Sequence, residues 1–270
     1  MKRTLAVLGA GNMGLAITDG ILKSGVLSAE NIILVRRDTD KLIAYHEYGC
    51  RISNDLARAA KEADVLVLAM KPQMMPFLYD TIRESCNGKL VISIAAGVKI
   101  ETIENNLKGA MVVRAMPNTP LTVGEGVTEI CRSKNVSDED FAFARSIFEG
   151  SGFVFNCNED EINALTALTS SAVAYFAVVE RAMCQWAKEN GLGDYDEQLL
   201  CDLVSKTALG SAKLMYEKSI SPDSLIKSVA SPNGTTERAL NVFAEKDIDG
   251  IFDEAMTACL KRAEELSNCK

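Results

Sequence analysis

Two hydrophobic periods run through the chain, and the switch between them divides it. Before residue 158, short β-branched or apolar runs recur at 4–8, 32–36, 65–70, 90–95 and 111–115, with weaker ones near 126–131 and 152–156. Several are apolar at nearly every position, which is the pattern of parallel strands buried on both faces. Amphipathic segments at 13–24, 40–48, 56–62, 74–85 and 100–107 separate them, and with their loops they are long enough for crossover connections. The expected product is an α/β domain built on an open, doubly wound parallel sheet.

From Asn158-Glu159-Asp160-Glu161, a polar cluster suited to starting a helix, the period becomes helical. Helices are predicted at 161–189, 196–218, 221–228, 236–245 and 248–266, with Pro222 and Pro232 as breaks. The domains are therefore expected at 1–157 and 158–270, the second all-α. Residues 164–179 are apolar on more than one face, so a helix there must be covered nearly all round, either in the core of one monomer or between subunits. The stretch includes Thr166, Thr169, Ser170 and Ser171 and falls short of the roughly 20 residues a membrane span needs.

Composition narrows the chemistry. The 270 residues are 47% hydrophobic and 24% charged, with net charge −8. Residues 1–150 balance 18 basic against 18 acidic side chains, so the excess of 19 acidic over 11 basic falls entirely in the second part. An acidic chain offers no extended nucleic-acid surface. His46, on an outer helix and read as structural, is the single histidine, which excludes a multi-histidine zinc site; no metal is expected. Eight scattered cysteines without a C-x-x-C pair read as reduced thiols. Met1-Lys2-Arg3 leads into an apolar run too short for a signal peptide, so a soluble, cytoplasmic protein is expected.

The strongest motif is Gly9-Ala10-Gly11-Asn12-Met13-Gly14, a G-x-G-x-x-G between the first strand and the first helix. Its glycines permit a tight turn, close approach of backbone to a pyrophosphate, and close packing of helix on strand, while the helix start offers N–H groups to phosphate oxygens. At the end of the second strand, Arg36 and Arg37 suit the 2′-phosphate of NADPH; Asp38 beside them keeps NADH open. Ala69, Lys71, Pro72, Ala95, Ala96 and Gly97 follow later strand ends, where ligands of open α/β sheets bind, with Lys71 read as a positioning or surface residue before a catalytic acid. Arg114-Ala115-Met116-Pro117-Asn118-Thr119-Pro120 is a stiff turn that places Asn118 at the nicotinamide end. In the helical part, Ser231-Pro232-Asn233-Gly234-Thr235-Thr236 enters a helix through hydroxyls and glycine, an anion cradle for a small carboxylate.

With these blocks in this order, the chain resembles the pyrroline-5-carboxylate reductases over essentially its full length. The block from Met116 to Pro120 together with Ser231–Thr236 is specific to that family, whereas the dinucleotide fingerprint is shared with many dehydrogenases. The resemblance implies NAD(P)H-dependent reduction of 1-pyrroline-5-carboxylate to L-proline by a Rossmann-type domain followed by a helical dimerisation domain, as a homodimer or a pentamer of dimers, with no nucleic-acid or membrane partner. It implies that Ser231, Gly234 and Thr235 bind the substrate carboxylate through the backbone of their loop. It further implies that Thr236 touches the ring nitrogen as the catalytic hydroxyl and that Ser171 lines the same pocket. The chain departs from the family at Thr169-Ser170-Ser171-Ala172-Val173-Ala174-Tyr175, where Ser170 replaces a glycine and Val173 a proline, and at Asn233 and Ser228. Losing Gly and Pro predicts a more regular helix there, with a changed pocket or dimer core. A reductase of a related cyclic imine, or an NADPH-binding relative with weakened turnover, are the alternatives these departures leave open.

Overall fold

The computed structural model describes residues 3–268, leaving Met1, Lys2, Cys269 and Lys270 outside it. Its eight strands are β1 (Leu5–Leu8), β2 (Ile32–Val35), β3 (Arg51–Ser53), β4 (Val65–Leu68), β5 (Leu90–Ser93), β6 (Met111–Pro117), β7 (Gly126–Arg132) and β8 (Gly152–Asn156). They form one sheet in the order β3-β2-β1-β4-β5-β6-β7-β8. The first six are parallel, and β1 registers between β2 and β4, with Leu5 opposite both Ile32 and Val65.

Alternate residues of each strand enter opposite cores. Leu5, Val7, Ile32, Leu34, Val65 and Val67 pack with Ile17 and Ile21 of helix α1 (Asn12–Ser24) and with Ile147 and Phe148 of a later helix. Ala6, Leu8, Ile33, Val35, Leu66 and Leu68 face the other way. There they pack with α3 (Leu56–Glu62), α4 (Met75–Ile82) and α5 (Ile100–Asn106), α2 (Ile43–Glu47) being a short outer helix. Strands flanked on both sides by apolar helices have no solvent face, which is why their sequences lack alternation.

Three features depart from the pattern read in the sequence. β7 runs antiparallel to β6, because only eight residues connect them, fewer than a crossover needs. The second departure is α6 (Asp138–Glu149), a helix not read in the sequence, which supplies the crossover that returns β8 parallel to β7. Its signals are Ser137, which caps the Asp140 N–H at 3.1 Å, three acidic residues in the first turn, and buried Ala144, Ile147 and Phe148. The third is β3, whose three residues are too few to show a period.

The helical part comprises α7 (Ile162–Leu165), a π turn (Thr166–Ser170), α8 (Ala172–Ala187), α9 (Glu197–Lys218), α10 (Pro222–Val229), α11 (Thr235–Glu245) and α12 (Ile248–Asn268). The helical run Glu159–Leu192 is 34 residues long and, by length and composition, long and apolar enough to cross a bilayer, a property the 16-residue apolar stretch alone does not convey. By packing, the chain forms two compact units, Met1–Ser170 with Cys259–Lys270, and Ser171–Ala258. Within the second, Lys188 pairs with Glu197 at 2.8 Å and Ser205 hydrogen-bonds Glu180, joining α8 to α9. Only Cys184, Ala187 and Leu200 are buried apolar residues there, while Phe176, Trp186, Leu203 and Tyr216 are exposed.

One polar device in the first unit is unusually concentrated. The Lys89 ammonium donates to the carbonyls of Ala60, Lys61 and Ala63 at 2.7, 3.0 and 2.6 Å, satisfying the end of α3 and matching its dipole. Lys89→Met retains the stem and removes the donors. Its unfolding midpoint in urea should fall, with a loss of about 2 kcal/mol.

Candidate active site

The loops at the carboxyl ends of the strands build the first part of the site. After β1 the chain turns at Gly9, whose φ of 99° lies in the left-handed region that other residues avoid. The N–H groups of Gly9 and Ala10 both donate to the Val35 carbonyl, at 3.0 and 2.9 Å, so β2 holds the turn. A Cβ on Gly9 would lie 2.6 Å from Met70 Cγ and 2.9 Å from the Ala69 carbonyl oxygen; one on Gly14 would lie 3.0 Å from Val7 Cγ1. Gly11 has no such crowding and serves as the N-cap of α1 without a side-chain cap. The N–H groups of Asn12, Met13 and Gly14 therefore open this helix with no acidic residue in the first turn, a setting that fits a phosphate.

Arg36 and Arg37 separate in role. The Arg36 guanidinium folds back on the glycine turn and donates to the Ala10 carbonyl at 3.2 Å, whereas Arg37 is exposed. Asp38 pairs with Lys41 at 3.8 Å, a solvent-exposed contact of little strength.

Ala69 touches the glycine turn, donating its N–H to the Leu8 carbonyl at 2.9 Å, and Lys71 is exposed beyond it with Pro72 opening a short turn. After β5, Ala95 is buried, Ala96 is exposed, and Gly97 sits where a Cβ would lie 3.3–3.4 Å from Leu266 of α12. Asn118 is buried, and both ends of its amide are engaged: Oδ1 accepts from the Val127 N–H at 2.9 Å and Nδ2 donates to the Thr169 carbonyl at 3.4 Å. Its contribution is the wall it builds between β7 and the π turn.

Two neighbours of this wall have roles that the sequence did not show. Arg114, buried in β6, pairs with Glu159 at 3.1 Å, and the same carboxylate oxygen accepts the Ile100 N–H at 2.7 Å, bracing the start of α5. Glu129 is fully buried in β7, where Oε1 accepts from the Thr169 hydroxyl at 2.5 Å and Oε2 has no partner. Burial pushes its carboxyl above the ordinary range, against the opposing pull of the Thr169 hydrogen bond. The one visible signal was an acid between β-branched residues of a strand, Thr128 and Ile130. Burial also raises the nearby thiols, Cys131 to about 12 and Cys157 to about 11, so both stay protonated at neutral pH.

In the helical unit, Gly234 is the N-cap of α11, and a Cβ there would collide with Ser231 Oγ. Asn233 takes a left-handed φ of 59°, which asparagine tolerates, and its N–H donates to Glu237 Oε2 at 2.7 Å. The N–H groups of Thr235 and Thr236 lie in the first turn of α11. Ser171 is the N-cap of α8. The segment before it is not the more regular helix expected from losing Gly and Pro. Thr166 and Thr169 back-bond to the carbonyls of Ile162 and Leu165 while Asn118 takes the Thr169 carbonyl, and the turn widens to π geometry.

A family model described as pyrroline-5-carboxylate reductase dimerisation matches residues 159–266, and one described as NADP oxidoreductase coenzyme F420-dependent matches residues 4–97. The pyrroline-5-carboxylate reductase of Methanosarcina acetivorans is 35% identical over 270 residues, covering 98% of both chains. That of Escherichia coli is 33% identical, covering 99% of both. Among solved structures, a pyrroline-5-carboxylate reductase from Coxiella burnetii superposes with a TM-score of 0.91 at 32% identity over the whole of both chains. One from Plasmodium falciparum gives 0.87 at 24% identity, covering 99% of this chain and 100% of its own, and shares the fold.

Glu129 makes stability depend on pH. The unfolded chain releases this proton near the usual value of about 4.3, while the folded chain holds it to higher pH. Between those values the native state binds more protons, so stability falls as pH rises and levels off once both states are ionised. Glu129→Gln should flatten that slope in urea unfolding measured from pH 4 upward. An unchanged slope would mean that Glu129 ionises alike in both states.

Proposed function

The chain belongs to the pyrroline-5-carboxylate reductase family, and from that premise we propose how it reduces 1-pyrroline-5-carboxylate to L-proline with NADPH. Full-length identity of 35% to a named reductase carries this reading, together with a glycine turn shaped for a dinucleotide. Residues 1–157 are the cofactor-binding domain and 158–270 the substrate and dimerisation domain. The helical match at 159–266 and the exposed apolar faces of α8 and α9 support a homodimer; the proposal extends it to a pentamer of dimers in the cytoplasm.

In this reading the N–H groups of Asn12, Met13 and Gly14 hold the pyrophosphate, with Gly9, Ala10 and Gly11 keeping the backbone close to it. Arg37 meets the 2′-phosphate, and Arg36 divides its donors between that phosphate and the Ala10 carbonyl it already holds. Ala69, Lys71, Pro72, Ala95, Ala96, Gly97 and Asn118 wall the nicotinamide end. Bound NADPH supplies the hydride that C5 of the imine accepts. The loop of Ser231, Gly234 and Thr235 seats the substrate carboxylate on its backbone N–H groups, and Ser171 adds a hydroxyl. Thr236 holds the ring nitrogen by a hydrogen bond, which fixes the ring for transfer and favours its protonated, electrophilic form. No histidine is needed for this chemistry.

Purified protein given pyrroline-5-carboxylate should oxidise NADPH, followed by loss of its near-ultraviolet absorbance; absence of that loss with either reduced cofactor would sink the assignment. Thr236→Ala should lower kcat/KM by about tenfold, the worth of one hydrogen bond to a charged group. Arg37→Ala should weaken NADPH about tenfold while leaving NADH unchanged. Arg36→Ala should weaken both, because it also releases the glycine turn.

A further inference from the structure

We propose that Glu129 and Thr169 act as a positioning pair: they hold the π turn Thr166–Ser170 in the shape from which Ser171 enters the substrate site, and so set how tightly the imino acid is held. The inference rests on the substrate role given above to Ser171.

Glu129 has no solvent exposure and sits between Thr128 and Ile130 in the buried middle of β7. A buried carboxyl is unfavourable unless its oxygens are satisfied, and here a single hydroxyl serves one oxygen while Oε2 goes without. An apolar residue at this position would be the better choice for stability alone. What the carboxyl does accomplish is local. It accepts from Thr169 Oγ1, on a residue whose carbonyl is taken by Asn118 and whose hydroxyl also reaches the Leu165 carbonyl. The single hydroxyl proton is shared between Glu129 and Leu165, so three partners meet at Thr169, two residues before Ser171. Ser170, between them, carries a buried hydroxyl with no partner, so it adds no anchor of its own.

Such a turn is over-determined at one point, and π turns of this kind are frequent beside functional sites. The geometry assigns the anchoring to side chains at a place where the family resemblance has glycine and proline, residues that shape a chain through their backbones. The cross-strand partners of Glu129 are Met116 and Phe155, which carry no charge, and the Cys157 thiol just past β8, which feels the Glu129 carboxyl, is kept neutral by burial; the pair therefore works through shape rather than through an ion pair.

Kinetics with purified full-length enzyme test this. Thr169→Val exchanges hydroxyl for methyl at constant volume, and Glu129→Ala removes the acceptor. Each should raise the KM for pyrroline-5-carboxylate about tenfold, the loss of one strong hydrogen bond, while the KM for NADPH stays within about twofold. The double variant should be no worse than either single one, since both break the same contact. Glu129→Gln and Thr169→Ser keep an oxygen at each end and should restore the wild-type KM. Should Glu129→Ala fold too poorly to assay, Thr169→Val and its serine counterpart decide alone. Unchanged substrate KM, equal increases in both KM values, or additive effects in the double variant would overturn the pairing. A wild type that fails to turn over pyrroline-5-carboxylate would overturn the functional reading and this inference with it, whereas an active wild type with indifferent variants overturns the inference alone.

Discussion

The position of β1, hydrogen-bonded on both sides, is the constraint on which the first unit depends. Because β1 lies between β2 and β4 in exact register, the Val35 carbonyl at the end of β2 receives two N–H groups of the glycine turn, and the Ala69 N–H after β4 reaches back to Leu8. The turn is thus held from both neighbours before α1 begins. Its glycines follow from that confinement: Met70 and Ala69 leave no room for a Cβ on Gly9, and Val7 leaves little on Gly14. Two apolar cores above and below the sheet keep the three strands from sliding. A cofactor site made largely of backbone needs this rigidity, since backbone groups cannot adjust as a side chain does.

The helical unit obeys the opposite logic. It buries very few of its own apolar residues and exposes Phe176, Trp186, Leu203 and Tyr216, so the free energy that would stabilise it is not realised within one chain. The homodimer proposed above would cover that face, and the match to a dimerisation model over residues 159–266 fits it. The same property explains why the long helix has the length and composition of a membrane span. Composition alone does not distinguish lipid from a partner helix, because both are apolar.

How much of this the sequence carried depends on how local each signal was. The doubly wound sheet was legible because continuous apolar runs and a G-x-G-x-x-G in strand–helix context are local and redundant. The left-handed turn at Asn233 was legible from the tolerance of that residue type for positive φ. The antiparallel β7 was hidden until the length of the loop before it was set against the length a crossover needs, and α6 until Ser137 and the acids after it were taken as a cap. Glu129, Arg114 and Glu159 act across 40 and 45 positions in the chain, and no window of sequence brings such partners together.

The segment at Thr169–Ser171 shows why a local rule can mislead. Glycine and proline lower helix stability, so replacing them with Ser170 and Val173 predicts regularity if the helix ladder is the only competitor for the backbone. Here it is not. The Thr169 carbonyl is drawn aside by the Asn118 amide and its hydroxyl is shared between Glu129 and Leu165, so the ladder loses a bond that tertiary partners gain. Propensity differences between ordinary residues are worth under about 1 kcal/mol each, less than one buried hydrogen bond with a charged or carboxyl partner. When the two conflict, the tertiary bonds prevail, and the widened turn is the visible result. In this chain the irregular geometry is imposed by side chains, two of them reaching in from outside the helix, at Asn118 and Glu129.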